Sequence, residues 1–213
     1  VVGCPVSVQI PEFIKLIKEH KFAEAGLTIK HDNSLPMVCG RVCPQSDQCE
    51  GACILLKKSQ PIAIGALERF AADHLAISSL QAAQPQLAEA APKAAIIGSG
   101  PASLSCAGDL VKAGVDVTVF EAMHDFGGVL RYGIPEFRLP KSIVSREVDE
   151  LKKMGVNFVP NVLIGATFTI EELMDEYGFS GVFIGSGAGL PRFLEIPGEN
   201  LVGIYSANEF LTR

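Results

Sequence analysis

Ala94-Ala95-Ile96-Ile97-Gly98-Ser99-Gly100-Pro101-Ala102-Ser103 passes from a short apolar run through a glycine turn into a helical pattern, and a second apolar run, Val115 to Phe120, ends on Glu121. A strand, a turn, a helix over Pro101 to Ala113 and a second strand make a βαβ unit, which predicts a parallel sheet. In such a turn Gly98 permits the tight bend and Gly100 lets the backbone approach a pyrophosphate. The helix opening at Pro101 and Ala102 then offers free amides and a favourable dipole to the anion. The third position of the pattern is normally Gly or Ala. Ser103 is small enough for close helix–strand packing, although it weakens the match.

Glu121 lies 23 residues after Gly98, where a carboxylate can accept hydrogen bonds from a ribose diol. An adenine dinucleotide with a free 2′-hydroxyl is therefore expected, and the acid at the strand end argues against a bare structural turn. The turn alone does not separate FAD from NAD. Gly127-Gly128, directly after the acidic strand end, leans toward FAD, because a second glycine pair lets the chain pass close to a long extended ligand. Gly185-Ser186-Gly187-Ala188-Gly189 imitates a second such turn, but Pro191 and Pro197 follow and no βαβ unit succeeds it. It reads as a loop at the carboxyl end of a strand, near the ligand crevice.

Working outward, Lys141 to Met154 and Thr169 to Tyr177 read as helices, the latter with Thr169 as N-cap. Val156 to Val159 and Gly181 to Ile184 read as strands, the last of them buried, and a short helical run precedes the end of the sequence. Upstream, Ile10, Phe13, Ile14 and Ile17 recur at helical spacing within a region, 10–32, of one or two short helices. Leu35 to Cys53 is too rich in Gly, Pro and Cys for a long regular element. Ile62, Leu67, Phe70, Ala71 and Leu75 predict a helix ending near Ser78. The organisation expected is a small helical domain over 1–80 with a thin core, an Ala- and Gln-rich linker over 81–92, and an α/β domain over 93–213.

The chain has 213 residues, 48% of them hydrophobic, and a net charge of −6. No eighteen-residue apolar run predicts a membrane span. No basic run interleaved with aromatics supports nucleic-acid binding. The start, Val-Val-Gly-Cys-Pro-Val, has no secretory-signal pattern and no initiating Met, so the chain is expected to begin inside a longer reading frame.

Four of the six cysteines, Cys39, Cys43, Cys49 and Cys53, fall within fifteen residues. In a chain of this size without a signal, such crowding favours thiolate metal ligands in a reducing, cytoplasmic compartment over a disulfide framework. Structural zinc sites usually pair their ligands through two-residue gaps, whereas closely packed thiolates beside Pro44 suit iron–sulfur ligation. On spacing alone the four read as one cluster site, with zinc and spare thiols as alternatives. Cys106 reads as a small buried hydrophobe. His20, His31, His74 and His124 read as solvated imidazoles.

Gly3-Cys4-Pro5-Val6, Cys39-Gly40-Arg41-Val42-Cys43-Pro44, Cys49-Glu50-Gly51-Ala52-Cys53, Gly98-Ser99-Gly100-Pro101-Ala102 and Tyr132-Gly133-Ile134-Pro135-Glu136-Phe137-Arg138-Leu139-Pro140-Lys141 together carry a resemblance. The chain resembles the small (β) subunit of NADPH-dependent glutamate synthase. The same unit occurs in the N-terminal part of dihydropyrimidine dehydrogenase and in the large subunit of NADH-dependent ferredoxin:NADP oxidoreductase. The resemblance implies a helical domain for two 4Fe–4S clusters, followed by a Rossmann-like FAD-binding domain. It assigns one cluster to Cys4, Cys43, Cys49 and Glu68. Cys53 goes to a second cluster whose other ligands precede Gly3, and Cys39 is not a ligand. From residue pattern alone Glu68 would be a surface carboxylate beside Arg69.

The same resemblance places Leu130, Arg138 and Gly187 with Gly98, Gly100, Pro101, Ala102, Glu121, Gly127 and Gly128 at the flavin. It implies that NADPH binds a domain absent from this stretch, that the FAD domain is incomplete here, and that the isolated piece is inactive. No general acid or base is expected. The partner implied is the glutamate synthase large subunit or a related redox subunit. The alternatives are a ferredoxin:NADP oxidoreductase or sulfide dehydrogenase type of complex, or a non-catalytic fragment.

Overall fold

A computed structural model describes residues 3–78, 87–88 and 90–212. The chain forms two compact units, Val1–Gln84 and Pro85–Arg213. Most of the expected linker over 81–92 lies outside the described residues.

The first unit is helical. Helices α1 (Ile10–Lys18), α2 (Phe22–Asp32), α3 (Pro36–Val42) and α4 (Ile64–Ile77) carry it, with two 3-10 turns at Gln45–Asp47 and Ile54–Lys57. The apolar spacing read from the sequence becomes a core: Val8, Ile10, Phe13, Ala25, Ile29, Ile64 and Ala71 are all buried. Pro36 in the first turn starts α3, where its missing N–H costs nothing. The Gly-, Pro- and Cys-rich stretch thus does hold a helix, but only a seven-residue one.

Helix α3 can lie hard against α4 because Gly40 has no side chain. A β-carbon there would sit 2.6 Å from the Arg69 backbone nitrogen. The crossing is also tied by charge, Arg41 donating to Asp73 at 2.9 Å. His74 departs from the solvated reading, since its ring packs 4.1 Å from that of Phe70.

The second unit is an α/β layer. Its order is β1 (Lys93–Ile97), α5 (Pro101–Lys112), β2 (Asp116–Phe120), α6 (Val129–Tyr132), α7 (Lys141–Lys153), β3 (Asn157–Val159), α8 (Ile170–Asp175), β4 (Gly181–Ile184) and α9 (Ala207–Thr212). The four described strands form one sheet in the order β3-β2-β1-β4. All three pairings are parallel. Thr169 caps α8 through a reciprocal box with Glu172, as the sequence suggested.

Two details differ from the sequence reading. Helix α6 was not anticipated, because four residues carry no period. Strand β4 forms where expected but is not buried: among the described residues only β1 pairs with it, and Ile184 is 62% exposed. Among the described residues no helix is long and apolar enough to cross a membrane.

Candidate functional site

The glycine turn of the second unit lies at the carboxyl ends of β1 and β4, where the strand order reverses and α/β ligands characteristically sit. Gly98 adopts φ +88°, a conformation a β-carbon disfavours. Its N–H extends the ladder to the Phe120 carbonyl at 2.7 Å. A β-carbon on Gly98 would also lie 2.6 Å from the Gly185 carbonyl oxygen, so the loop after β4 abuts the turn. Ser103 is fully buried and donates to that same carbonyl at 3.5 Å.

At Gly100 the environment is the opposite. Nothing lies within 4 Å of the position a β-carbon would take. Gly100 N-caps α5 without a side-chain cap, so the amides of the first turn face this open cradle. The open cradle and the uncapped helix start fit the pyrophosphate of a dinucleotide.

Glu121 is buried and its carboxylate is already engaged. Oε2 accepts the Ser99 N–H at 2.8 Å and the Ser99 hydroxyl at 2.5 Å, and Oε1 accepts the Met123 N–H at 2.9 Å. A carboxylate offers about four lone-pair positions. A ribose hydroxyl would meet the one left on Oε1. The Ser99 hydroxyl in turn accepts the Gly127 N–H at 3.0 Å. Gly128, at φ +52°, brings the second glycine pair against the first, since a β-carbon there would lie 2.8 Å from Gly100 Cα. The second pair therefore has a close protein neighbour of its own.

Leu130 is buried below this turn, and its carbonyl accepts Lys141 Nζ at 3.0 Å. Lys141 also donates to the Ile134 carbonyl, and Arg131 pairs with Asp125. Arg138 has an exposed side chain, with its backbone N–H turned to the Pro135 carbonyl. Gly187, at φ +76°, follows two residues after the Gly185 contact. Pro101 and Ala102 are exposed at the start of α5.

In the first unit, Glu68 is not the surface carboxylate its sequence neighbours suggest. It is 8% exposed and accepts Asn33 Nδ2 at 3.1 Å. Burial pushes its carboxyl up to about 7, the Asn33 hydrogen bond opposing this. The charge of Glu68 reaches Cys39, Cys43 and Cys49 and disfavours their thiolates. Cys49 is raised chiefly by burial and also feels Cys4. Cys4 and Cys49 both pack on the apolar core of this unit.

Cys39 shares a hydrogen bond with Cys43 that raises the first thiol and lowers the second. A cleft of about 530 Å³ opens beside Cys4, bounded by Asp47, Gln48 and Ala52. Of the sulfurs only Cys4 lines that cleft; the sulfurs of Cys4, Cys43 and Cys49 with the buried Glu68 carboxylate are a donor set whose chemistry suits iron–sulfur ligation. Among the described residues no three His, Cys, Asp or Glu converge at the spacing of a single ion. A four-iron cluster carries its irons at separate corners, so its ligands need no such convergence.

Cys53 has other surroundings. It N-caps the 3-10 turn, and its sulfur is held below the usual thiol range by backbone hydrogen bonds, from Ile62 first and then from Leu55 and Leu56. Glu50 is the acid it senses, and Cys49 senses the same acid. Cys53 is thus set among backbone donors, whereas Cys39 and Cys43 share a hydrogen bond with each other. Sequence reasoning missed Ser99, Asn33 and Lys141, whose roles depend on partners 22, 35 and 11 or fewer residues away.

A family model described as dihydropyrimidine dehydrogenase domain II, 4Fe-4S cluster, matches residues 1–79. A second, described as pyridine nucleotide-disulphide oxidoreductase, matches residues 92–211. The chain belongs to the pyridine nucleotide-disulphide oxidoreductase family. Within this family it is 39% identical over 210 residues to the glutamate synthase [NADPH] small chain of Halomonas elongata, covering 98% of this chain and 44% of that one. It is 40% identical over 210 residues to the putative oxidoreductase UacF of Escherichia coli, covering 98% and 32%. It is 40% identical over 193 residues to the dihydropyrimidine dehydrogenase subunit PreT of Escherichia coli, covering 90% and 47%.

Among solved structures, FprA of Mycobacterium tuberculosis in complex with NADPH aligns at a TM-score of 0.51 and 28% identity, over 57% of this chain and 28% of that one. The chain spans 32% to 47% of the length of these curated relatives. A helical iron–sulfur domain followed by an oxidoreductase α/β domain is thus its make-up.

Proposed function

We propose that this chain is part of the electron-input subunit of an NADPH-dependent glutamate synthase, delivering electrons to a large partner subunit in the cytoplasm. The observation that carries the reading is Glu68, buried beside Cys43 and Cys49 in a chain that also presents the open Gly100 cradle. In this reading residues 1–80 hold clusters and residues 93–213 hold FAD. Cys4, Cys43, Cys49 and Glu68 ligate one 4Fe–4S cluster, and Cys53 contributes to a second. Gly98, Gly100, Pro101 and Ala102 seat the pyrophosphate, Glu121 takes a ribose hydroxyl, and Gly127, Gly128, Leu130, Arg138 and Gly187 border the flavin. NADPH, FAD and the clusters together supply the conversion of a two-electron donor into single-electron delivery. The residues of this chain supply position, burial and exclusion of water.

A second reading, in which the same unit serves another acceptor such as a pyrimidine-reducing or ferredoxin-linked partner, is supported by the 40% identity to PreT. Iron, sulfide and flavin analysis of anaerobically purified protein tests what both readings share. Zinc without iron, and no flavin after reconstitution, would end both. Glutamate formation from 2-oxoglutarate and glutamine, on mixing with a glutamate synthase large subunit, separates the first from the second.

A further inference from the structure

Asn33 closes α2 and is 7% exposed, yet it is no candidate ligand. Its Oδ1 accepts the Leu35 backbone N–H at 3.0 Å. The Cys39 thiol also donates to Oδ1, at 3.6 Å. A backbone N–H cannot accept, so the Leu35 contact fixes which end of the amide is oxygen. The amino end is thereby turned to Glu68 Oε1, 3.1 Å away.

We propose that Asn33 is a positioning residue that sets the Glu68 carboxylate for iron, an inference that rests on Glu68 being a ligand. Two features of the amide suit the task. It is a neutral donor, so it orients the carboxylate without neutralising the charge a metal would require. A lysine or arginine in its place would compete with the metal for the same oxygen. It also grips one oxygen only, leaving the other for coordination. Outer hydrogen-bond partners of this kind hold metal ligands in orientation and raise their affinity.

Cys39 gains a purpose in the same arrangement. Its thiol faces both Asn33 Oδ1 and the Cys43 sulfur. One amide and one thiol therefore join the cysteine-bearing α3 to the Glu68-bearing α4.

The test compares wild type, Glu68→Ala, Asn33→Asp and Asn33→Ser after anaerobic reconstitution with iron and sulfide. The readouts are iron per protein, the EPR spectrum of the reduced cluster, and the rate at which a chelator removes one iron. Asn33→Asp keeps the acceptor for Leu35 and sets a carboxylate against Glu68. It is expected to hold the iron at Glu68 roughly 10-fold or more weakly and to move the spectrum toward that of Glu68→Ala. A spectrum and chelation rate like wild type in Asn33→Asp, with Glu68→Ala altered, overturns the positioning role. A wild-type spectrum in Glu68→Ala overturns the ligand reading itself. Asn33→Ser, which can still cap Leu35 but does not reach Glu68, gives the same comparison if the Asp variant does not fold by circular dichroism.

Discussion

Ser99 directs both its backbone N–H and its hydroxyl at a single oxygen of Glu121, at 2.8 and 2.5 Å. The hydroxyl then accepts the amide of Gly127. One small side chain thus joins the first glycine turn, the acid ending β2 and the second glycine pair.

Ser99→Ala removes that junction and leaves the buried Gly127 N–H without its acceptor. The second unit is expected to lose about 1–3 kcal/mol of stability. Flavin retained per protein should fall with it. Denaturant unfolding and the flavin absorbance ratio measure the two effects, and unchanged values in both would contradict the junction.

Gly128→Ala places a methyl where the left-handed backbone disfavours it, 2.8 Å from Gly100 Cα. The strain of a side chain at φ +52°, ψ −127° is about 1–3 kcal/mol before the clash is counted. The two glycine segments must then separate, so flavin binding is expected to weaken in both variants, in Gly128→Ala through displacement of the protein and in Gly100→Ala, whose methyl meets no protein atom, by filling the cradle itself. Flavin titration of the two variants gives the comparison.

The burial of Glu68 makes the iron-stripped first unit sensitive to pH. Its carboxyl sits at about 7 when folded, against 4.5 as the ordinary value. Between those values the folded chain keeps a proton that the unfolded chain has released. Stability therefore falls as pH rises from about 4.5 to about 7, by on the order of 3 kcal/mol. Thermal unfolding across this range should show the decline in wild type and a shallower one in Glu68→Gln. Equal slopes would remove Glu68 as the cause.

Removing individual thiols should separate two sites. Cys43→Ser is expected to abolish the cluster signal associated with Glu68, because the charge of Glu68 reaches Cys43. Cys53→Ser, whose sulfur is held by the backbone of Ile62, Leu55 and Leu56, should leave that signal intact. EPR of the reduced variants distinguishes the cases, and loss of the same signal in both would restore a single four-cysteine site.

Much of the fold is visible in the residues, because it rests on local signals. Apolar spacing in α1, Thr169 before α8 and the glycine turn at Gly98 each act over a few positions. What escaped detection depends on distant partners. The burial of Glu68 follows from Gly40 letting α3 approach α4, and no pattern around residue 68 announces it. The exposure of β4 follows from its place at the sheet edge, which its apolar composition does not reveal. The cysteine run is legible as metal chemistry, but the Ile62 backbone at Cys53 and the reach of the Glu68 charge to Cys43 come from residues beyond the run.

The parallel pairing of β1 with β4 also sets a timetable. Ile97 meets Ile184, a residue synthesised 87 positions later. At the speed of a ribosome that interval is roughly 4 to 17 seconds. Throughout it, one side of Ala94–Ile97 waits with unsatisfied backbone groups, a template for pairing with the wrong chain. Expression at lower rates lengthens the wait, so yield of this domain is governed by what shields β1 while β4 is still being made.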